Sequence, residues 1–188
     1  MLDVVIIGAG PAGGSAALFT AKAGKQTVII DNDSGLTKRA WIANQYGVRE
    51  TSGPELLKVG QEQAAKFGAL LVRDKAIAVD SSSEGVIVRT ESGQTYVTKH
   101  VIIAAGFGID IAEASGIRTV PGTEPRVKTI IDVDIEGRSS MEHVWAAGTI
   151  AGVSMHTIIT AGDGAKVAIN VISELNGTRY VDHDVIKA

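Results

Sequence analysis

Val4-Val5-Ile6-Ile7-Gly8-Ala9-Gly10-Pro11-Ala12-Gly13-Gly14 is an apolar run that breaks into a glycine turn, and the small-residue stretch Ser15-Ala16-Ala17-Leu18 follows it at once. A strand, a tight turn and a helix start are expected in that order. Gly8 permits the turn, Gly10 lets the main chain approach a pyrophosphate, and Gly13 lets helix and strand pack closely. The free N–H groups of the helix start then face the anion. Downstream, Thr27-Val28-Ile29-Ile30 ends at Asp31, eighteen residues past Gly13. An acid at the end of a second strand accepts hydrogen bonds from ribose hydroxyls. A dinucleotide is therefore the expected ligand. The glycine pattern taken alone also fits an ordinary α/β turn with an incidental aspartate, but its place between strand and helix favours the nucleotide.

The 188 residues suit one domain with a substantial core and leave too little chain for two full nucleotide domains. A net charge of −3, with basic residues scattered along the chain, argues against a nucleic-acid role. There is no cysteine, which excludes disulfides, thiolate metal sites and a redox thiol pair within this sequence. The first apolar run has no basic leader and is cut by glycine and proline, so it reads as strand and turn rather than as a signal peptide or a membrane span. A cytoplasmic protein with no membrane partner is expected.

Residues 31 to 47 read as an ordered loop. Thr51-Ser52-Gly53-Pro54-Glu55 then combines a hydroxyl cap, a first-turn proline and an acid, and Leu56, Leu57, Gly60, Ala64 and Phe67 follow at helical spacing until Gly68. Four β-rich runs come next, at 69–72, 76–80, 85–90 and 95–98, and the last three predict an antiparallel meander laid on the main sheet. Val101-Ile102-Ile103-Ala104-Ala105-Gly106 is a buried strand running into a glycine. A short helical piece at 109–115, a connector at 116–126 and a strand at 128–134 follow, and Val144-Trp145-Ala146-Ala147-Gly148 repeats the apolar-then-glycine theme. The spacing predicts a terminal helix over 157–176 with Ile158, Ile159, Ala161, Ala165, Ala168, Ile169, Ile172 and Leu175 on its apolar face and Gly177 as its stop.

This order of motifs resembles the FAD domain of the thioredoxin reductase-like flavoproteins over nearly the whole chain. The segments that carry the likeness are the glycine fingerprint, Asp31, Trp41 to Gly47, Ser52 to Leu57, Val101 to Gly106, and Ala146-Ala147-Gly148 before a glycine-rich helix. The resemblance implies an α/β fold: a Rossmann-like FAD-binding domain with a parallel central sheet, flanking helices and an antiparallel meander. In that family a separate NAD(P)H domain is inserted between the strands ending in A-T-G and A-A-G-D, and the connector from Phe107 to Lys128 is too short to hold one. A stand-alone FAD module over 1–188 is implied.

Carried over by position, the resemblance assigns the pyrophosphate to Gly8, Gly10 and Gly13, with Pro11 and Ala12 in the turn. It assigns the adenosine ribose to Asp31, counts Asn32 and Ala76 as further cofactor contacts, and places Lys38, the segment around Asn44 and, as a candidate cover of the ring, Trp41 on the flavin side. Ala105 and Gly106 would lie along the dinucleotide. Gly148 and Thr149 stand where the family has Gly-Asp, so a neutral hydroxyl replaces the acid that contacts the ribityl region. Met155, His156 and Thr157 match the segment whose main-chain N–H groups face the flavin pyrimidine edge, with His156 in place of a glutamine.

His156 beside a flavin is also a candidate acid or base, although no partner is visible in sequence and a backbone contact is the preferred reading. His100, His143 and His183 lack metal-ligand spacing and are expected at the surface or at strand edges. Trp41 and Tyr46 either cover the isoalloxazine or simply pack. Asp132 and Asp134 share a strand face, and solvation there is preferred to paired-carboxylate chemistry.

Two functional classes follow from the resemblance. The first is an FAD-dependent oxidoreductase or component fed by free NAD(P)H or a partner protein, with a non-dithiol acceptor. The second is a non-catalytic FAD-binding redox sensor. A plain NAD-dependent dehydrogenase ranks last, because no substrate domain remains in the chain. A homodimer through the apolar faces of the 54–67 and 157–176 helices is expected.

Overall fold

The computed structural model describes residues 1–186. Strand β1 (Leu2–Ile7) leads through the glycine turn into helix α1 (Pro11–Lys22), and β2 (Thr27–Asp31) follows. The 31–47 loop contains a 3-10 turn at Leu36–Arg39 and the short strand β3 (Trp41–Ile42), which pairs antiparallel with β4 (Thr51–Ser52). Helix α2 (Gly53–Lys66) starts where its cap predicts, with the Ser52 hydroxyl accepting from the Glu55 N–H at 3.3 Å. Strands β5 (Leu70–Arg73), β6 (Ala76–Ser82), β7 (Gly85–Thr90) and β8 (Thr95–Ile103) come next. Helix α3 (Asp110–Ala114) and the hairpin of β9 (Thr119–Pro121) and β10 (Thr129–Ile131) precede β11 (Val144–Ala146) and the long helix α4 (Thr157–Asn176).

One seven-stranded sheet runs in the order β5-β2-β1-β8-β7-β6, and β11 also pairs with β8. β5, β2, β1, β8 and β11 are parallel, whereas β8, β7 and β6 form the antiparallel meander. The runs at 95–98 and 101–103, expected as separate strands, are a single nine-residue strand. The first part of β8 pairs with β7 and the last part with β11, while β1 accompanies it along the other side. The strand expected over 128–134 shortens to β10. Asp132 turns to an ion pair with Arg118 at 2.6 Å, and the Asp134 carboxylate accepts the N–H groups of Glu136 and Arg138.

Alternation along β1 divides the core. Val4 and Ile6 join Ile29, Ile102 and Trp145 beneath α1 and α4, whereas Val5 and Ile7 join Val28, Ile30, Val101 and Ile103 beneath the meander and α3. The four side chains Val4 to Ile7 are all buried, each contributing about 1.5–3 kcal/mol. That outweighs the roughly 0.5–1 kcal/mol of backbone entropy lost at each glycine of the adjoining turn.

The buried face of α4 keeps Ala168, Ile172 and Leu175 of the expected one but differs at its N-terminal end. Thr160, Gly164, Val167, Ala168, Val171 and Ile172 face the core, and Ile158 and Ile159 are exposed. Size decides this orientation: a Cβ at Gly164 would run into the carbonyl of Ala12, so only a small-residue face lets α4 approach α1. Among the described residues no helix is long and apolar enough to cross a membrane.

Candidate dinucleotide site

The parallel strands β1, β2, β8 and β11 end on the same side of the sheet. From β1 the chain moves to β2 on one side and then returns to β8 on the other. The crevice at such a reversal is where open α/β sheets bind ligands. Gly8 sits there at φ +102°, and a Cβ on it would lie 2.5 Å from the Ala104 carbonyl oxygen. A Cβ on Gly13 would overlap the Gly8 carbonyl, so turn and helix touch through main chain alone. A Cβ on Gly10 would meet nothing within 4 Å. Gly10 caps α1 without a side-chain hydrogen bond, which leaves the N–H groups of Ala12 and Gly13 without an intrahelical acceptor. Open main chain and orphan donors fit a pyrophosphate.

Asp31 is fastened to this turn. The Ala9 N–H donates to its Oδ1 at 2.9 Å, and its Oδ2 accepts from the Asp33 N–H at 3.0 Å and from Arg73 Nη1 at 2.6 Å. Lys38 and Arg73 both pair with Asp33, and the Lys38 hydrogen bond, helped by the Arg73 charge, holds the Asp33 carboxyl below the usual carboxylate range. Lys38 therefore stands at the Asp31 end of the site. Asn32 is exposed and accepts from Ser34, and Ala76 opens β6 three residues beyond Arg73.

Across the crevice, Ala105 and Gly106 follow β8. Gly148, at φ +82°, follows Ala147 after β11, and a Cβ on it would come within 2.8 Å of the Ala12 Cβ. The Gly148 N–H donates to Asp163 Oδ2 at 2.8 Å, which ties this turn to α4. Thr149 is buried in the 3-10 turn Thr149–Ala151. At the start of α4, His156 provides no side-chain cap; its Nδ1 lies 2.8 Å from Ser154 Oγ, and the Thr157 hydroxyl donates to Gln45 Oε1 at 2.8 Å. The 44–48 loop is thereby joined to α4. Beside this junction a cleft of about 280 Å³ opens chiefly between α1 and α2, lined by Gly10, Pro11, Gly14, Gln45, Leu56 and Thr157 among others.

The structure thus brings together Gly8, Gly10, Pro11, Ala12, Gly13, Asp31, Gly148 and Thr157. Trp41, Asn44, Met155 and His156 are exposed. Trp41 donates to Glu50 Oε2 at 3.2 Å, and Tyr46 is 93% exposed. Sequence reasoning did not single out Arg73, Gln45 as a partner of Thr157, or Asp163. Arg73 becomes visible only from the parallel register that sets it beside Asp31.

His100 is corrected outright. It is not at the surface but 4% exposed, with Nδ1 accepting from the Trp145 indole N–H at 3.2 Å, and burial lowers its pKa to about 4. Its ring meets that of His143 edge-on at 5.0 Å, and ligand atoms of His100, His143 and Glu174 lie within 4.8 Å of one another. A metal-binding histidine donates its second ring N–H to an acceptor. Here Trp145 presents a donor to that nitrogen, so the cluster suits a neutral, structural imidazole rather than a cation.

Comparison with known proteins agrees with this fold. The family model described as pyridine nucleotide-disulphide oxidoreductase matches residues 2–129. A thioredoxin reductase of Aquifex aeolicus is 46% identical over 110 residues, covering 55% of this chain and 33% of that protein. One from Peptoclostridium acidaminophilum is 36% identical over 124 residues, covering 64% and 39%. The chain therefore spans about a third of the length of these relatives. Among solved structures, the atypical thioredoxin reductase TRi of Desulfovibrio vulgaris Hildenborough superposes with a TM-score of 0.81 at 19% identity, over 94% of this chain and 99% of that one. A thioredoxin reductase from Gloeobacter violaceus gives 0.78 at 20% identity, over 98% and 99%. These two establish likeness of fold, while the matched family model spans the fingerprint, Asp31 and the whole of β8; the chain belongs to the pyridine nucleotide-disulphide oxidoreductase family, with a thioredoxin reductase-like fold.

Proposed function

We propose that this chain is a stand-alone FAD-binding oxidoreductase or oxidoreductase component, which takes hydride or electrons from free NAD(P)H or a partner protein and delivers them to a non-dithiol acceptor. The observation that carries the reading is the Ala9 N–H to Asp31 hydrogen bond beside the open main chain of Gly10. Together they support a ribose acceptor at Asp31 next to an anion site at the α1 start. The first-turn N–H groups of α1 would hold the pyrophosphate, and Asp31 the adenosine ribose. Ala105, Gly106, Gly148 and Thr149 would follow the dinucleotide toward α4, with the Thr149 hydroxyl serving where the family has an acid.

At α4, the uncapped N–H groups that follow His156 would face the flavin ring, and the positive helix end would favour negative charge there. When bound, FAD supplies the two-electron chemistry. With no cysteine in the chain, no internal dithiol passes electrons onward. The connection between β8 and β11 holds only α3 and the β9–β10 hairpin, which supports a nicotinamide that arrives from solution or an electron donor that is a separate protein. The exposed Ile158 and Ile159 of α4 and Val59 of α2 support a homodimer through these faces.

The test is the visible spectrum of the purified protein, reconstituted with FAD if colourless, before and after anaerobic NADH or NADPH. Bound flavin that bleaches is expected for a self-sufficient reductase or oxidase. Bound flavin that ignores both nucleotides would indicate a partner-fed component or a sensor. A protein that takes up no FAD would overturn the reading.

A further inference from the structure

An ionised carboxylate offers about four lone-pair sites, and three donors already occupy those of Asp31. The Ala9 N–H lies on Oδ1 at 2.9 Å; the Asp33 N–H at 3.0 Å and Arg73 Nη1 at 2.6 Å lie on Oδ2. Two ribose hydroxyls would bring five donors to four sites, so one of the three must leave. The Ala9 N–H belongs to a buried turn locked between strand and helix. The Asp33 N–H belongs to a turn at φ +63° whose carboxylate is held by Lys38. Arg73 differs from both. Its side chain is 49% exposed on the edge strand β5, beside Asp31 in register, and it already has an alternative acceptor in Asp33 Oδ1 at 3.1 Å.

We propose that Arg73 is a displaceable counter-ion of Asp31: the adenosine ribose takes its place, the guanidinium shifts onto Asp33, and the dinucleotide is held exchangeably. Arg73 is thus a residue that sets retention, and it competes with the ligand rather than assisting it. The inference rests on the dinucleotide reading of the crevice, but not on that dinucleotide being FAD. It also separates Arg73 from two familiar alternatives, a cation that attracts the ligand's phosphates and a support that orients Asp31. Both of those make its removal weaken binding, whereas displacement makes its removal strengthen it.

The experiment is calorimetric titration of flavin-free protein with ADP, 2′-deoxy-ADP and FAD, using wild type, Arg73→Met and Arg73→Lys, each confirmed as folded by its thermal transition. Arg73→Met is expected to bind ADP about two- to five-fold more tightly, the size of one exposed ion pair, and FAD likewise. For 2′-deoxy-ADP the two proteins are expected to agree, because one hydroxyl fewer leaves room for Arg73 on the carboxylate. Arg73→Lys, which keeps the charge, is expected near wild type. In about 1 M salt the gain should vanish, since an exposed pair is screened.

Equal or weaker ADP binding by Arg73→Met overturns the proposal, and so does a gain of the same size with 2′-deoxy-ADP. If ADP follows the expected pattern while FAD is ignored, the displacement stands and the flavin reading fails. If FAD binds wild type and Arg73→Met alike, the displacement fails and the flavin reading stands. If no adenine ligand binds, there is no ribose to displace and both fall.

Discussion

Gly164 of α4 rests directly on the carbonyl group of Ala12 in the first turn of α1, with no room for a side chain between them. The contact joins the helix that starts at the fingerprint to the helix that starts beside His156. It therefore sets the distance between the two N-termini that flank the crevice. Gly164→Ala is expected to force α4 away from α1 and destabilise the protein by about 1–3 kcal/mol, as overpacking does. Gly162, two residues earlier on the same helix, has nothing within 4 Å of a notional Cβ. There an alanine is expected to stabilise by up to about 1 kcal/mol through helix propensity. Urea midpoints of the two variants check this, and a tolerated Gly164→Ala would show that the helices are not in main-chain contact.

Gly10 separates binding from folding. Its φ of −69° suits any residue, and a Cβ there meets open space. Gly10→Val is expected to keep the wild-type melting temperature within a few degrees while losing FAD uptake, because its branches would fill the place proposed for the pyrophosphate. Gly13→Val, by contrast, is expected to unfold the turn, since its Cβ would overlap the Gly8 carbonyl. Full flavin occupancy in folded Gly10→Val protein would show that the dinucleotide does not approach the main chain at Gly10.

His100 makes stability depend on pH. Burial keeps the folded ring neutral down to about pH 4, whereas the unfolded ring takes up its proton near 6.5. The unfolded state binds more protons between those values, so the stabilisation is complete above about pH 6.5 and is lost as pH falls toward 4. The loss attributable to this ring is up to about 3 kcal/mol. His100→Gln retains a side-chain acceptor for the Trp145 indole and does not titrate. Its urea midpoint should fall less than that of wild type between pH 7 and pH 4.5; parallel curves would count against a buried neutral imidazole.

Asp163 holds the Gly148 turn. Asp163→Ala leaves the Gly148 N–H without the carboxylate that now accepts it at 2.8 Å, a cost of about 1–3 kcal/mol. Flavin affinity is expected to fall with it, because the turn carries Thr149. Asp163→Asn keeps an acceptor and should lose less of both. Thermal melting and FAD titration of the pair check this, and an Asp163→Ala protein as stable and as tightly binding as wild type would show that the turn stands without this bond.

The strand, turn and helix of residues 2–22, Asp31 at the end of β2, and the extents of α2 and α4 were legible in the sequence. Each is fixed within a few residues by local chemistry: alternation of buried valines and isoleucines, a glycine at positive φ, a Ser52 cap, and Gly177 in a left-handed stop. Tertiary structure decided the remainder. Hydropathy placed Ile158 and Ile159 on the buried face of α4, but the close approach of Gly164 to Ala12 turned the first turn of the helix so that Thr160 faces inward instead, while Ala168 and Ile172 stay in the core. Nothing local to His100 signals that Trp145, forty-five residues later, will meet it in the core. Likewise Arg73 reaches Asp31 only through the pairing of β5 with β2, forty-two residues apart. Backbone preferences act between chain neighbours and can be read from them. Register, helix orientation and the sharing of a carboxylate depend on which distant surfaces pack, and that is settled only when the whole sheet and both helices are in place.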